Sequence, residues 1–299
     1  MSQRDLKNRI GSIQNIRKIT RAMEMVAAAR LRRAEQRIQR LRPYAGAIRR
    51  MTRQAAEAAG GDLSSLPILQ RHESDDRIGL LLVTADRGLA GSFNSQILRN
   101  GVRSLGELEE QGKQVSFYVT GRRGHSSLVF RKLDPVASWT GFTERPAYAD
   151  AREIAARLMA DYVDGKVDRV DIIYNGYVSP LVQEVRTETL LPLQEATILD
   201  EDPGAEGEGS EAQRALVEYE PDPERILAQL IPDYVEISIY RALLESSASE
   251  LGARMTAMRN ASENAGELID KYTLEMNRAR QAEITQEIME VVGGAEALT

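Results

Sequence analysis

The chain has 299 residues, no cysteine and a formal net charge of −6, which excludes disulfides, thiol switches and Cys-ligated metals. Apolar residues make up 42% and charged residues 28%, enough for a core and for long exposed helical faces. No run of about 18 apolar residues exists to span a membrane as a helix, and the two histidines, His72 and His125, are too far apart in sequence to suggest a metal cluster.

The opening MSQRDLKNRIG carries charges with no apolar run behind them, so it does not read as a secretory signal. Over residues 2–59 only Gly11, Pro43 and Gly46 interrupt a helical pattern. At about 1.5 Å per residue such a helix is ~80–90 Å long, and a compact domain of about 100 residues has a radius of gyration of only ~13 Å. The pattern predicts a rod. Leu31, Ala34, Ile38, Leu41, Ala45 and Ile48 step by three and four residues, as a coiled-coil seam does. Leu6, Ile10 and Ile13, then Ile16, Ile19, Met23 and Val26, continue the stripe upstream with slips in phase. Ser2 with Asp5 can form a capping box.

Residues 1–55 hold fifteen Lys/Arg against Asp5, Glu24 and Glu35, a balance of +12, which leaves −18 for the remainder. A basic helix on an acidic body points to an acidic neighbour: a protein, a nucleic acid or anionic lipid. The plainer reading is a solvated face. It weakens over fifty residues of one sign, because like charges repel along a helix.

Between the ends the elements alternate in the manner of an α/β domain. Residues 78–84 (IGLLLVT) form a continuous apolar run, typical of a strand buried on both faces. A helix is expected near 93–111, a strand at 114–119, a helical stretch after GRRG, a helix at 149–164 and a third buried strand at 170–174. Residues 182–190 alternate and predict antiparallel strand. Together they predict a Rossmann-like sheet. The acidic, Gly-rich stretch 200–210 (DEDPGAEGEGS) reads as a surface loop without a core of its own.

The loop Asp86-Arg87-Gly88-Leu89-Ala90-Gly91-Ser92 follows a strand and opens a helix, where free N–H groups can hold phosphate. Its GxxG spacing is neither the dinucleotide fingerprint nor a P-loop with its Lys-Ser/Thr pair. Gly121-Arg122-Arg123-Gly124 has the same two readings, a phosphate cradle or a tight turn. The turn is preferred at both. No Ser-His-Asp or Cys-His arrangement is apparent, so no catalytic, cofactor or metal site is expected.

Asp222-Pro223 reads as an N-cap and first-turn proline opening the last helix, with Pro232 inside it as a kink. From 233 to 292 only Gly252 and Gly266 interrupt, and Gly293-Gly294 marks the end. Ile237, Tyr240, Leu244, Ala248, Leu251, Met255 and Met258 form its seam. Ala265, Ile269, Tyr272, Met276 and Ala279 resume it after one offset. The two terminal helices are natural antiparallel partners. The fold class is therefore α/β with a long antiparallel coiled coil around a central Rossmann-like domain. The expected division is 1–60 for the N-terminal coil helix, 75–200 for the α/β domain, 200–221 for the acidic loop and 222–299 for the C-terminal coil helix. Ile284, Ile288, Met289, Val291, Val292 and Leu298 extend past the reach of the N-terminal helix and call for an apolar collar in another chain.

Three motifs then carry a resemblance. IRKITRAMEMVAAARLRRA (16–34) resembles the opening signature of the gamma subunit of rotary F-type ATP synthases. ITQEIMEVVGGAEA (284–297) is similar to that family's closing pattern. TADRGLAGSFN (84–94) resembles its middle motif, with Ala85 and Ala90 where Ser and Cys are common. The resemblance implies a central shaft that transmits torque without catalysing, with the nucleotide sites in partner subunits. The implied partners are three alpha and three beta subunits, an epsilon subunit and a ring of c subunits, with no nucleic acid and no cofactor. It places the protein at the cytoplasmic face of a bacterial membrane, attached only through the complex. Arg254, Arg280, Gln281, Thr285 and Glu287 match positions that contact the beta subunits, and Met23 matches one near an acidic beta loop. Two readings of other classes remain beside it. One is a nucleotide-dependent α/β enzyme with coiled-coil arms, which a nucleotide-binding assay discriminates. The other is a nucleic-acid-binding coiled coil, which predicts steep salt dependence.

Overall fold

The computed structural model describes residues 3–58, 68–70, 72–193 and 223–296. The expected cap at Ser2, the N-cap at Asp222, the acidic stretch 200–210 and Leu298 lie outside the described residues. In chain order the elements are α1 (Gln3–Ala58), β1 (Arg77–Val83), α2 (Phe93–Glu110), β2 (Gln114–Thr120) and α3 (Arg122–Phe130). They continue with β3 (Ala137–Trp139), α4 (Tyr148–Val163), β4 (Arg169–Tyr177), β5 (Gln183–Leu191) and α5 (Pro223–Glu296). Pro43 and Pro232 both lie inside continuous helices. The chain divides into two compact units, one of Met1–Ala29 with Arg254–Thr299 and one of Arg30–Ala253.

The larger unit is built on a five-stranded sheet of order β3-β2-β1-β4-β5. The first four strands are parallel and β5 runs antiparallel to β4. The apolar run of β1 is explained by burial on both faces. Leu80 and Leu82 pack with Ile97 and Leu128 on one side, while Leu81 and Val83 pack with Ile154 and Leu158 on the other. That second layer also takes in Ile48 and Ala55 of α1 and Leu227, Ile231, Val235 and Leu243 of α5. Along α5 every residue from 242 to 252 is buried. The small side chains of Ser246, Ser247, Ala248 and Ser249 make this all-round burial possible, and Ser247 and Ser249 satisfy their hydroxyls on the backbone carbonyls of Glu144 and Asn175. The edge strand β3, three residues long, had no counterpart in the sequence pattern.

In the smaller unit the segments of α1 and α5 run antiparallel. Arg259 Nε donates to Glu24 Oε1 at 3.0 Å, Arg17 lies beside Gly266, and the Arg9 guanidinium sits 5.3 Å from the centroid of the Tyr272 ring. Partner numbers rise as α1 numbers fall. The seam of α1 does not slip as expected. Leu6, Ile10, Thr20, Ala27, Leu31 and Ala34 are buried, and they keep one phase of alternating three- and four-residue steps through positions 13, 17 and 24. Ile16, Ile19 and Val26 therefore leave the seam and are 53%, 59% and 52% exposed. The offset expected in α5 is also absent. Buried Ser262 bridges Met258 and Ala265 in a single phase. Polar residues at seam positions conceal a heptad from a search for apolar ones.

Candidate functional site

The two glycine loops are closed by their own chain. Asp86 accepts the N–H groups of Gly141 at 2.8 Å, Arg122 at 3.1 Å and Thr143 at 3.2 Å, and the Thr143 hydroxyl at 3.0 Å. Burial alone would raise the Asp86 carboxyl. The donated hydrogen bonds outweigh it and hold the group below its ordinary value. Because Arg122 opens α3, a carboxylate already occupies the position a phosphate would take. Gly121 has φ of 88°, and a Cβ there would meet the Thr84 carbonyl oxygen at 2.4 Å, so the turn needs glycine for close backbone approach. The Arg123 guanidinium covers Gly88. Both motifs are tight strand-to-helix turns. Among the described residues no group of three or more His, Asp or Glu side chains could hold a metal ion, and no helix is long and apolar enough to cross a membrane.

What the chain does present is contact surface. Between residues 12 and 29 of α1 the three heptad positions on the side away from the seam hold Ser12, Asn15, Ile16, Ile19, Ala22, Met23, Val26 and Ala29, with no charge among them, whereas the same positions hold Arg9 before this stretch and Arg30 and Arg33 after it. Ile16, Ile19 and Val26 point away from the chain's own partner helix, and Met23 is half-buried. Lys18 and Arg21 lie off this face, so over residues 12–29 α1 has a seam, an uncharged face and a basic face.

At the end of α5, residues 280–291 are all exposed. Ile284, Ile288, Met289 and Val291 are 47%, 57%, 67% and 73% exposed. Among the expected contact residues, Arg280, Gln281, Thr285 and Glu287 fall on this segment. Thr285 Oγ1 donates to the Gln281 carbonyl at 2.8 Å, a bond within its own helix, and no ion pair engages Arg280 or Glu287 among the described residues. Arg254 is different. It lies 26 residues earlier on α5 and is only 7% exposed, so it is not brought together with the others. Met23 lies next to Glu24, at the level of Arg259.

A third surface belongs to the larger unit. Arg30, Arg33, Arg37, Glu144 and Arg145 line a cavity of about 370 Å³ beside Ala34 and Leu251. Glu144 is shared by Arg30 at 2.7 Å and Arg87 at 3.3 Å, leaving the basin with surplus positive charge. Neither this basin nor the uncharged stripe was picked out from sequence as a site. The signal was available for the stripe, since from residue 12 to residue 29 all eight residues at three of seven heptad positions carry no charge in an otherwise basic helix.

Residues 2–298 match a protein family described as ATP synthase. The chain is 43% identical over 297 residues to the ATP synthase gamma chain of Rubrobacter xylanophilus, covering 99% of this chain and 98% of that relative. Among solved structures it is similar to a chain of the central stalk and c-ring of Tetrahymena thermophila mitochondrial ATP synthase. That match has 26% identity and a TM-score of 0.60 over 82% of this chain and 99% of that one. The fold also matches a chain of the Euglena gracilis mitochondrial ATP synthase, with a TM-score of 0.64 over 99% of this chain and 94% of that one at 19% identity.

Proposed function

This chain belongs to the ATP synthase gamma chain family, and from that premise we propose how its surfaces are used. It is the central-stalk subunit of the F-type ATP synthase, a non-catalytic part of a complex whose catalytic sites are on the beta subunits. Proton flow through the membrane sector turns the stalk, and the turning stalk drives ATP synthesis or hydrolysis. Its partners are the alpha and beta subunits, the epsilon subunit and the c-subunit ring. It sits in the peripheral part of the complex, at the cytoplasmic face of the cell membrane.

The observation that carries this use is the fully exposed end of α5. Several helical turns with solvent on every side and four exposed large apolar residues are marginal in water alone and fit an apolar collar of other subunits. Arg280, Gln281, Thr285 and Glu287 are the contacts to the beta subunits at this end. Arg254 joins them from a position its own chain already buries, and Met23 contributes from the uncharged stripe. Exposed ion pairs are worth only ~0–1 kcal/mol each, which suits a rotor because deep wells at any one angle would stall it.

The test is reconstitution. The tagged chain mixed with purified alpha and beta subunits should yield a complex that hydrolyses ATP and rotates a bead attached to the larger unit. Assembly without rotation would refute the shaft reading, whereas nucleotide turnover by the chain alone would favour the enzyme alternative.

A further inference from the structure

Within the larger unit, Arg186 and Glu188 on β5 face Arg241 and Glu245 on α5. Arg241 Nη2 donates to Glu188 Oε2, and Arg186 Nη1 donates to Glu245 Oε2 at 3.2 Å. The hydroxyl of Tyr174, a fully buried side chain, donates to the other oxygen of Glu188 at 2.6 Å. The backbone N–H of Tyr177 donates to the Glu245 carboxylate. The set is electrically neutral, and it is not arranged for stability. Arg241 Nε is buried without a hydrogen-bond partner among the described residues. Burial holds the Glu245 carboxyl above its ordinary value in spite of Arg241 and Arg186 beside it. Buried ion pairs often stabilise a fold no better than apolar residues of the same volume, and the best-attested use of such groups is to fix register.

The contacts fall like pins along a rod. Positions 241, 245, 249 and 252 of α5 step by four, four and three residues, one line down the helix about 16 Å long at 1.5 Å per residue. Every point on that line meets the β4–β5 hairpin. Beyond Arg241 and Glu245, the Ser249 hydroxyl donates to the Asn175 carbonyl at 3.1 Å. At Gly252 a Cβ would meet the Pro180 carbonyl oxygen at 2.9 Å. On the far side of the helix the Ser247 hydroxyl donates to the Glu144 carbonyl at 3.0 Å. From 246 to 253 the only large side chains of α5 are Glu250 and Leu251, so its ridges are shallow and resist sliding weakly. Apolar burial has no direction of its own, and packed helices slide past neighbours in shear. Directed bonds are what keep α5 from turning about its axis or slipping along the sheet.

We propose that Arg186, Glu188, Arg241 and Glu245 are positioning residues that lock the angle of α5 against the sheet, so that torque passes between the α/β unit and the helix without slack. The inference rests on the stalk reading and adds where in the chain the load is carried. A helix free to turn within its own unit would lose part of every stroke before moving anything attached to that unit.

The test removes the charges and keeps the volume. Arg186→Met, Glu188→Leu, Arg241→Met, Glu245→Gln and Tyr174→Phe are combined in the full chain. The glutamine keeps an acceptor for the Tyr177 N–H, and the phenylalanine removes a hydroxyl that would lose Glu188. The urea midpoint should stay level or rise. In the complex reconstituted from purified alpha and beta subunits and stalled, a bead on the larger unit should show about twice the angular variance, because charge-assisted bonds are the strongest of the directed contacts. Unloaded ATP hydrolysis should be unchanged. Each pair is also replaced alone, Arg241 with Glu188 and Tyr174, or Arg186 with Glu245, so that midpoint and variance stay readable where the five changes together fail to fold. A lowered midpoint in both paired variants would make the pairs ordinary stabilising contacts and overturn the proposal, as would an unchanged variance. Spin labels at Thr187 and Ser238, outside the lock, read the same freedom in the free chain, and their distance distribution should widen in the variants. An unaltered chain that assembles without rotating would count against the stalk reading, and the spin-label widths would still decide the lock.

Discussion

Individual side chains differ in what they are held by, and that difference sorts their expected effects. Asp168 is held from all sides. Arg77 Nη2 donates to it at 2.7 Å, Ser74 and the backbone N–H groups of Asp76 and Arg77 add further bonds, and His72 Nδ1 lies 3.0 Å away. Burial opposes its charge, yet the Arg77 and His72 hydrogen bonds prevail and hold the carboxyl well below its ordinary value. A depressed folded value means stability fully present above the unfolded aspartate value of about 3.9 and lost as pH falls through the folded value. Asp168→Asn should therefore lower stability at neutral pH by about 2–4 kcal/mol. It should also flatten the acid limb of a urea-midpoint profile below about pH 4. The proposed contact residues at the end of α5 are the opposite case. Arg280, Gln281 and Glu287 are exposed, so Arg280→Ala or Glu287→Ala should leave the isolated chain within about 0.5 kcal/mol of its starting stability. In the assembled complex each should reduce ATP turnover, while nucleotide binding to isolated beta stays unchanged. Arg254→Ala should do both kinds of damage, because the chain buries that side chain. Intact turnover after all such changes would end the residue-level assignment.

Whole elements carry a second contrast. Leu31 in the seam is 3% exposed and Ile19 on the uncharged face is 59% exposed. Leu31→Asp should cost more than about 3 kcal/mol through an unpaired buried charge. Ile19→Asp should cost less than about 0.5 kcal/mol in the free chain yet impair assembly with alpha and beta subunits. Equal effects of the two on the free chain would mean the stripe is seam after all. Thr20→Cys with Ser262→Cys, two buried seam positions between the Glu24–Arg259 and Arg17–Gly266 contacts, should cross-link within one chain. Covalent dimers alone would refute the pairing. Most elements were legible because buried parallel strands and long helices announce themselves by runs and periods. β3 was not, since a three-residue edge strand has too few positions to show alternation. The stripe was misassigned for a related reason. Counting apolar residues at steps of three and four assumes one buried face, and α1 has, apart from its polar-interrupted seam, an apolar face with no partner among the described residues. The two glycine loops were legible as turns, but the clamp of Asp86 across 36 and 57 residues of sequence was not, because nothing local marks a carboxylate for a distant helix start.

For the molecule as a whole, the distribution of chemistry is one-sided: charge and apolar surface for contact, and no assembled reactive centre among the described residues. The α/β unit has the order of elements that in other proteins holds a nucleotide at the carboxyl ends of its strands. Here that edge is occupied by Asp86 on the α3 start and by Arg123 over Gly88. A triphosphate would have to displace a carboxylate held by four donated hydrogen bonds and would meet its charge while doing so. No lysine of P-loop spacing stands by to compensate. The arginine basin at Glu144 could attract an anion, but its cations are mostly exposed, where each contributes little and salt screens it within about 8 Å at physiological strength. Calorimetry of the full chain with Mg-ATP at physiological salt should accordingly give no saturable heat. Asp86→Ala supplies the control. It removes the clamp and should loosen the 141–143 loop, visible as faster hydrogen exchange at Gly141 and Thr143, without creating nucleotide affinity, since the missing lysine is not restored. Micromolar binding by the unaltered chain, lost on Gly91→Trp, would overturn this reading and return a nucleotide site to the stalk itself.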